Sequence, residues 1–416
     1  MALFPRTATG DALRLICAKG LRAVGDGYVS ILLPAYLLAL GHSPFEVGIL
    51  TTATLLGSAA LTLLVGKVTA RYGHRRPLLA AAVLMTLTGI GFAGFDSFWP
   101  LLAIAFVGTL NPSSGDVSVF LPLEQSLLSQ SVAETDRTRV FAYYSLAGSL
   151  MGALGTLCAA GPGLAAEWTG VAARDAMRAM FVVYAAIGVI AAVLYRGIVD
   201  AGHAPRRGPV QGLGPSRGNV YRLTVLFSVD ALGGGFFVQS ILALWLFRAF
   251  QLPVATAAGI FFWTNLLAAG SYLAAVPIAR RYGLINTMVF THLPSNLILM
   301  VIPFVPSLGI VIGLLMARSL LSQMDVPTRT SYVMAVVTPA ERPAAASLTS
   351  APRSLASAVS PVISGYLLTF SSFAWPLLIG GALKIGYDLA LLAMFRRVVP
   401  DHERADPTPG TPDPKP

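Results

Sequence analysis

Charge is what this chain lacks first. Only 12% of its 416 residues are charged and 55% are hydrophobic, whereas a soluble domain carries roughly 25% charged residues. The polar coat that water requires is missing, and the mean hydropathy of +0.70 points to an integral membrane protein. Cysteine is nearly absent. Cys17 and Cys158 stand in separate segments without metal-ligand spacing, which excludes a disulfide framework, and they are read as space-filling. Also missing are G-x-S-x-G, H-E-x-x-H, a phosphate-cradling glycine loop and any His/Cys cluster. The chain is therefore not read as an enzyme, and no cofactor or metal is expected. Its formal net charge of +10 does not point to nucleic acid, because the basic residues stand as short clusters between apolar runs.

Those apolar runs are long. A helix needs about 20 residues, at 1.5 Å each, to cross a hydrocarbon core about 30 Å thick. Gly, Pro and charge mark out twelve candidates: 17–41, 45–68, 77–95, 98–127, 140–161, 177–199, 221–247, 254–279, 284–304, 307–337, 343–370 and 374–395. The prediction is an all-α protein with 12 transmembrane helices. The N-terminus, with Arg6, Arg14, Lys19 and Arg22 as a positive region and Ala39-Leu40-Gly41 as a cut site, also has the outline of a secretory signal. Asp26 interrupts that outline and the segment has a counterpart later in the chain, so it is kept as the first span.

Basic loops resist translocation. With both ends inside, the cytoplasmic side collects most of the 29 Lys and Arg, and the outer loops hold only Arg174, Arg178 and Arg248. This predicts a multi-pass protein of the cell (inner or plasma) membrane with both termini cytoplasmic. The stretch 200–219, rich in Gly, Pro and Arg, reads as a cytoplasmic linker between six-helix bundles at 1–199 and 220–399. The tail, 400–416, lacks apolar periodicity and is predicted to be disordered.

The two bundles repeat each other. Arg71-Tyr72-Gly73, between spans two and three, recurs as Arg281-Tyr282-Gly283, between spans eight and nine. Gly115-Asp116-Val117 on span four matches Met324-Asp325-Val326 on span ten. Asp136-Arg137 matches Glu341-Arg342, and Asp26 on span one matches Asp230 on span seven. Four ordered coincidences at a spacing of about 210 residues are a repeat. Parallel repeats imply a pseudo-twofold axis along the membrane normal, which suits rocking of one half against the other.

The loop after span two, GKVTARYGHRR, resembles the signature Gly-Lys-x-x-Asp-Arg-x-Gly-Arg-Arg of the major facilitator superfamily. Gly66, Lys67, Arg71, Gly73, Arg75 and Arg76 match it, and the resemblance covers nearly all of the chain outside the tail. LEQSLLSQ and DVPTRTSYVMAVVTPAER look like a poorly characterised prokaryotic branch of that family. The resemblance implies two six-helix bundles, transport by alternating access, and a central cavity lined by spans one, four, seven and ten. It also implies that the signature loop helps lock the two halves at the cytoplasmic face. Ala70 departs from the pattern: it stands where the family has the acid of that lock.

A charge in mid-membrane costs about 2.5–3.5 kcal/mol on insertion scales, so each needs a partner, water or a task. Each of the four cavity-lining spans carries an acid: Asp26, Asp116, Asp230 and Asp325. Asp26 and Asp230 are candidates for exchanging protons with the cavity. Arg318 lies about 16 Å into span ten at 1.5 Å per residue, near the midplane. There it is suited to hold an anion, or else to bridge to Asp116 or Glu124. Arg353 is divided between the substrate path and a pair with Asp325. Gln239 is a neutral candidate for hydrogen bonding to a solute. Asp116, Glu124, Asp325, Pro327 and Arg329 fall close to the cytoplasmic surface and are assigned to an inner gate, together with the signature-loop residues, Arg281 and Gly283. Asp325 and Arg329, one turn apart, are expected to pair, with Pro327 loosening the turn. Lys384 and Asp388 are expected to pair on span twelve in a structural role, and His292 is read as a packing residue.

The expected function is secondary active transport of a small molecule, proton-coupled, with export preferred because the cavity reads as apolar with few fixed charges. Uptake of an organic anion on Arg318 is the alternative, and a transporter-like sensor without turnover is a third reading. The expected partners are the lipid bilayer, one small-molecule substrate and protons, with the protein a monomer.

Overall fold

The computed structural model describes residues 10–113, 118–132, 134–198, 213–214, 216–338 and 341–396. The N-terminal half contains α1 (Gly10–Ala39), α2 (Pro44–Tyr72), α3 (Arg75–Gly94), α4 (Phe98–Val107), α5 (Phe120–Gln130), α6 (Glu134–Cys158), α7 (Gly161–Thr169) and α8 (Ala173–Arg196). The C-terminal half contains α9 (Arg217–Gly235), α10 (Gln239–Phe250), α11 (Val254–Tyr282), α12 (Leu284–Val301), α13 (Leu308–Ser319), α14 (Asp325–Ala335), α15 (Arg342–Phe370) and α16 (Trp375–Phe395). The described residues form no strand. Among them, nine helical stretches are long and apolar enough to cross a membrane, and Phe98–Val107 and Leu308–Ser319 are shorter apolar helices. The expected linker lies mostly, and the expected tail wholly, outside the described residues.

Local chemistry sets where helices begin and end. Before α2, Ser43 Oγ accepts from Glu46 N while the Glu46 carboxylate accepts from Ser43 N at 2.7 Å, a reciprocal cap with Pro44 at the first helical position. α2 and α11 both stop at the repeated glycine. Gly73 and Gly283 have φ of +73° and +83° with extended ψ, a conformation essentially restricted to glycine. The repeat therefore reproduces a backbone turn as well as letters.

The expected spans four, seven and ten are each broken in two. In α5 and α14, Pro122 and Pro327 sit in the first turn, where a missing N–H leaves no helical bond unmade, while a helix continued backwards would lose the bond to, and clash with, the carbonyl four residues earlier. Pro327 thus does more than loosen a turn: residues 320–324 leave the helix. In span seven the break at 236–238 follows Gly233-Gly234-Gly235. Backbone released inside a membrane must find partners within the protein. Tyr184 donates to the Thr109 carbonyl at 2.9 Å, Ser364 to the Phe236 carbonyl at 2.8 Å, and Gln323 N donates to Ser271 Oγ at 3.3 Å.

The halves meet at one end. Arg14 and Arg75 donate to the carbonyls of Gly197 and Arg196, which places the start of α1, the signature loop and the end of α8 together at a basic end. At the opposite end α2 runs antiparallel to α15. Gly48 and Gly365 touch through their backbones, and the Phe45 and Tyr366 rings pack edge to face at 5.8 Å. Val362 N donates to Thr52 Oγ1 at 3.0 Å, Ser240 N to the Pro112 carbonyl at 3.1 Å, and Gln239 to Ser30 Oγ at 2.8 Å. One apolar core runs through both halves and takes in Leu37, Val47, Phe247 and Leu368 at this end, whereas Val220, Leu223, Val333 and Phe395 form a separate core within the C-terminal half.

Candidate functional site

Between the halves lies a cavity of about 990 Å³, reaching from Leu242 and Phe261 to Thr62, Leu63, Ser347 and Ser350 towards the basic end. Its charged lining among the described residues is Lys19, Asp26, Asp230, Arg318, Asp325, Arg329, Arg353 and Lys384. The expectation of few fixed charges does not hold. Five basic groups face three acidic ones, because long side chains from α13 to α16 converge on one wall. α15 contributes a polar stripe at helical spacing, Ser347, Ser350, Ser354 and Ser357, with Arg353 beside it.

The C-terminal wall is built around Asp230, which is 1% exposed. Lys384 Nζ donates to its Oδ1 at 2.5 Å, and Arg329 Nη2 lies 3.3 Å from its Oδ2. Arg329 also pairs with Asp325, as the one-turn spacing predicted. Arg329 and Asp325, assigned by depth to the inner gate, are therefore part of the same charge cluster as Asp230, which the side chain of Arg329 reaches. The Lys384–Asp388 pair expected on one helix does not form. Asp388 instead binds His292 Nδ1 at 2.8 Å and Asn296 at 3.0 Å, and His292 Nε2 is 3.4 Å from Lys384 Nζ. His292 is thus part of the polar cluster, where sequence suggested a packing residue.

Arg318 stands apart. Its guanidinium lies 4.9 Å from the Phe237 ring centroid, it has no carboxylate within salt-bridge distance among the described residues, and its Nε has no acceptor. Bridging to Glu124 is ruled out because Glu124 is already engaged. Arg353 likewise has no carboxylate partner among the described residues; the expected pair with Asp325 is replaced by Arg329, and Arg353 Nε lacks an acceptor. Gln239 is occupied in a bond between the halves, to Ser30. Asp116 lies outside the described residues.

Glu124 was expected at the inner gate. It is fully buried inside the N-terminal half, where Arg22 Nη2 lies 2.5 Å from Oε2, and Tyr144 and Tyr195 donate at 2.6 and 2.5 Å. Arg22 also lies 3.9 Å from the Phe120 ring. The charge of Arg22 and the tyrosines on α6 and α8 were visible in the sequence, but their convergence was not. Among the remaining gate candidates, Arg71 and Arg281 are exposed over Tyr72 and Tyr282, at 5.3 and 5.4 Å, and Arg76 is exposed. Gly66 and Lys67 lie on α2, with side chains outside what is described. Cys17 and Cys158 are free and exposed rather than space-filling in a core. Outside the spans, hydrogen bonds from Ser216, Thr338 and Gly214 hold the Glu341 carboxyl well below its ordinary range, at about 2. That tie between the starts of α9 and α15 contributes stability above the ordinary carboxyl range and loses it only as pH falls towards 2.

Comparison with known proteins places this architecture. The family model of the Major Facilitator Superfamily matches residues 15–322. An uncharacterized membrane protein of Saccharomyces cerevisiae is 25% identical over 427 residues, covering 94% of this chain and 95% of that protein. The crystal structure of the nucleoside transporter NupG superposes with a TM-score of 0.71 at 14% identity, covering 93% of this chain and 100% of NupG. The xylose transporter XylE from E. coli, in a partially occluded inward-open conformation, gives 0.68 at 14% identity over 95% of this chain and 99% of XylE. At these identities the two structures bear on fold alone.

Proposed function

The chain belongs to the Major Facilitator Superfamily, and on that premise we propose that it is a proton-coupled secondary transporter that carries a small organic anion across the cell membrane by alternating access. The observation that carries the anion reading is Arg318, a guanidinium in the cavity wall with no carboxylate partner among the described residues and an Nε without an acceptor. A cation held in the membrane without a counter-charge is costly, and an anionic solute relieves that cost. Export was preferred on the premise of a sparsely charged cavity; five basic lining groups favour the anion reading instead.

The basic end faces the cytoplasm by the positive-inside rule, so the cavity opens inward and the α2–α15 contact seals the outside. Alternating access then separates that seal and brings the signature loop and Arg281 of the two repeats together as the inner gate. Protons enter through Asp26 and Asp230. An anion that draws Lys384 and Arg329 towards itself leaves the buried Asp230 carboxylate without counter-charges, and a proton replaces them.

Two measurements in proteoliposomes test this reading. Arg318→Gln should lower anion flux by about tenfold or more, the worth of one charge-assisted hydrogen-bonding site; normal anion flux would sink the anion reading. Asp26→Asn and Asp230→Asn should flatten the pH dependence of flux. An unaltered pH profile in both variants removes them as proton carriers.

A further inference from the structure

Among the described residues, Arg318 is one of two places on the cavity wall where guanidinium donors have no acceptor. The second is formed by Arg329 and Arg353. Arg329 is 6% exposed, and its Nη2 is used by Asp325 and Asp230, yet its Nε and Nη1 have no acceptor; Arg353 Nε has none either. Arg353 and Arg329 line the same cavity from the neighbouring helices α15 and α14. Between the two places lies the Lys384–Asp230 pair: Arg329 and Lys384 both hold Asp230, and the Phe237 ring under Arg318 packs against Gly380, one turn before Lys384 on α16. The wall thus runs from Arg353 and Arg329, through the Lys384–Asp230 pair, to Arg318.

We infer that the transported solute carries two separate oxyanion groups, one bound at Arg318 and the other at Arg329 and Arg353. This rests on the anion reading above and narrows it. Unused guanidinium N–H groups are favourable sites for oxyanions, because each offers a charge-assisted hydrogen bond. One carboxylate satisfies only one of the two places. The charge balance agrees in sign: the described lining holds two more basic than acidic groups, which favours a solute of negative charge. The apolar surface of Phe237 and Leu315 leaves room for a hydrocarbon spacer in the same cavity. Two carboxylates, or a carboxylate and a phosphonate, have the chemistry required.

The test uses the purified full-length protein in nanodiscs and calorimetric titration. The probes are straight-chain α,ω-dicarboxylates of four to eight carbons, the matching monocarboxylates, ω-phosphonocarboxylates and the uncharged diamides. The best dianion should bind at least about tenfold more tightly than its monoanionic counterpart. Arg353→Gln should reduce that ratio to near one, whereas Arg318→Gln should weaken monoanions and dianions alike. If Arg353→Gln does not purify as a monodisperse protein, Arg353→Lys, which retains the charge but not the fork, should still lower the ratio. Equal affinity for monoanions and dianions in the wild type, or a ratio unmoved in both Arg353 variants, overturns the inference and leaves the anion reading standing. Binding of diamides with no binding of either anion class overturns both. A higher ratio for phosphonocarboxylates than for dicarboxylates supports the inference and assigns the second group as a phosphoryl type.

Discussion

Glu124→Ala is expected to destabilise the N-terminal half by about 3–5 kcal/mol, the cost of leaving a buried partner charge uncompensated. Arg22 is 3% exposed, and its carboxylate counter-charge is Glu124 at 2.5 Å. Removing that carboxylate also strands the hydroxyls of Tyr144 and Tyr195, which donate to it from α6 and α8. Four helices of the half, α1, α5, α6 and α8, are joined through this one side chain. The measurement is thermal unfolding of the solubilised protein, with Glu124→Ala expected to melt far below the wild type. Tyr144→Phe and Tyr195→Phe each remove one hydrogen bond to a charged group and should cost less, about 1.5–3 kcal/mol. Replacing both partners, Arg22→Met with Glu124→Leu, should recover most of the loss, because an apolar pair of similar volume is often as stable as a buried ion pair. An unchanged melting temperature in Glu124→Ala would show that the cluster does not fasten the half together.

That cluster also shows what sequence can and cannot reveal here. The spans were legible because hydropathy is a local signal read against a fixed membrane thickness, and Asp325–Arg329 was legible because a helix brings i and i+4 together by its own geometry. The same rule failed for Lys384 and Asp388. Both sit on α16 at the right spacing, but Asp230 on α9 and His292 on α12 offer buried partners that only tertiary packing brings within reach. Glu124 and Arg22 are 102 residues apart, and nothing local connects them. Its depth near the inner surface assigned Glu124 to a gate, since depth along a helix does not say which face of the helix a side chain occupies. Asp26 and Asp230 looked equivalent in the repeat. In the fold Asp230 is held by two cations that α14 and α16 supply, partners that the repeated letters do not identify. The breaks in spans four and ten were marked by Pro122 and Pro327. Whether each proline would kink or end its helix depended on partners such as Tyr184 and Ser271 for the released backbone.

Gly365→Leu is expected to lower transport by about 5- to 150-fold while leaving each half folded. At this position a Cβ would stand 2.5 Å from the Pro44 carbonyl and 2.8 Å from Gly48 Cα, so the obstruction is backbone and has no rotamer to escape into. α2 and α15 belong to different halves, and the added side chain can be accommodated only by separating them. Overpacking of this kind costs about 1–3 kcal/mol, which moves a two-state equilibrium by about 5- to 150-fold away from the state sealed at this end. Alternating access requires that sealed state once per cycle, so flux should fall by the same factor even though the cavity group Arg318 is untouched. Gly365→Ala, with a single methyl at the same place, should show a smaller shift in the same direction. The direct readout is a spin-label distance across the seal, with labels on His42→Cys and Ser371→Cys after Cys17 and Cys158 are replaced by serine. In the Gly365→Leu protein the distribution should move to longer separations while the melting temperature, set largely by packing within each half such as the Glu124 cluster, falls little. A distance distribution and a flux both equal to wild type would mean that the Gly48–Gly365 contact is not the seal on which the cycle turns.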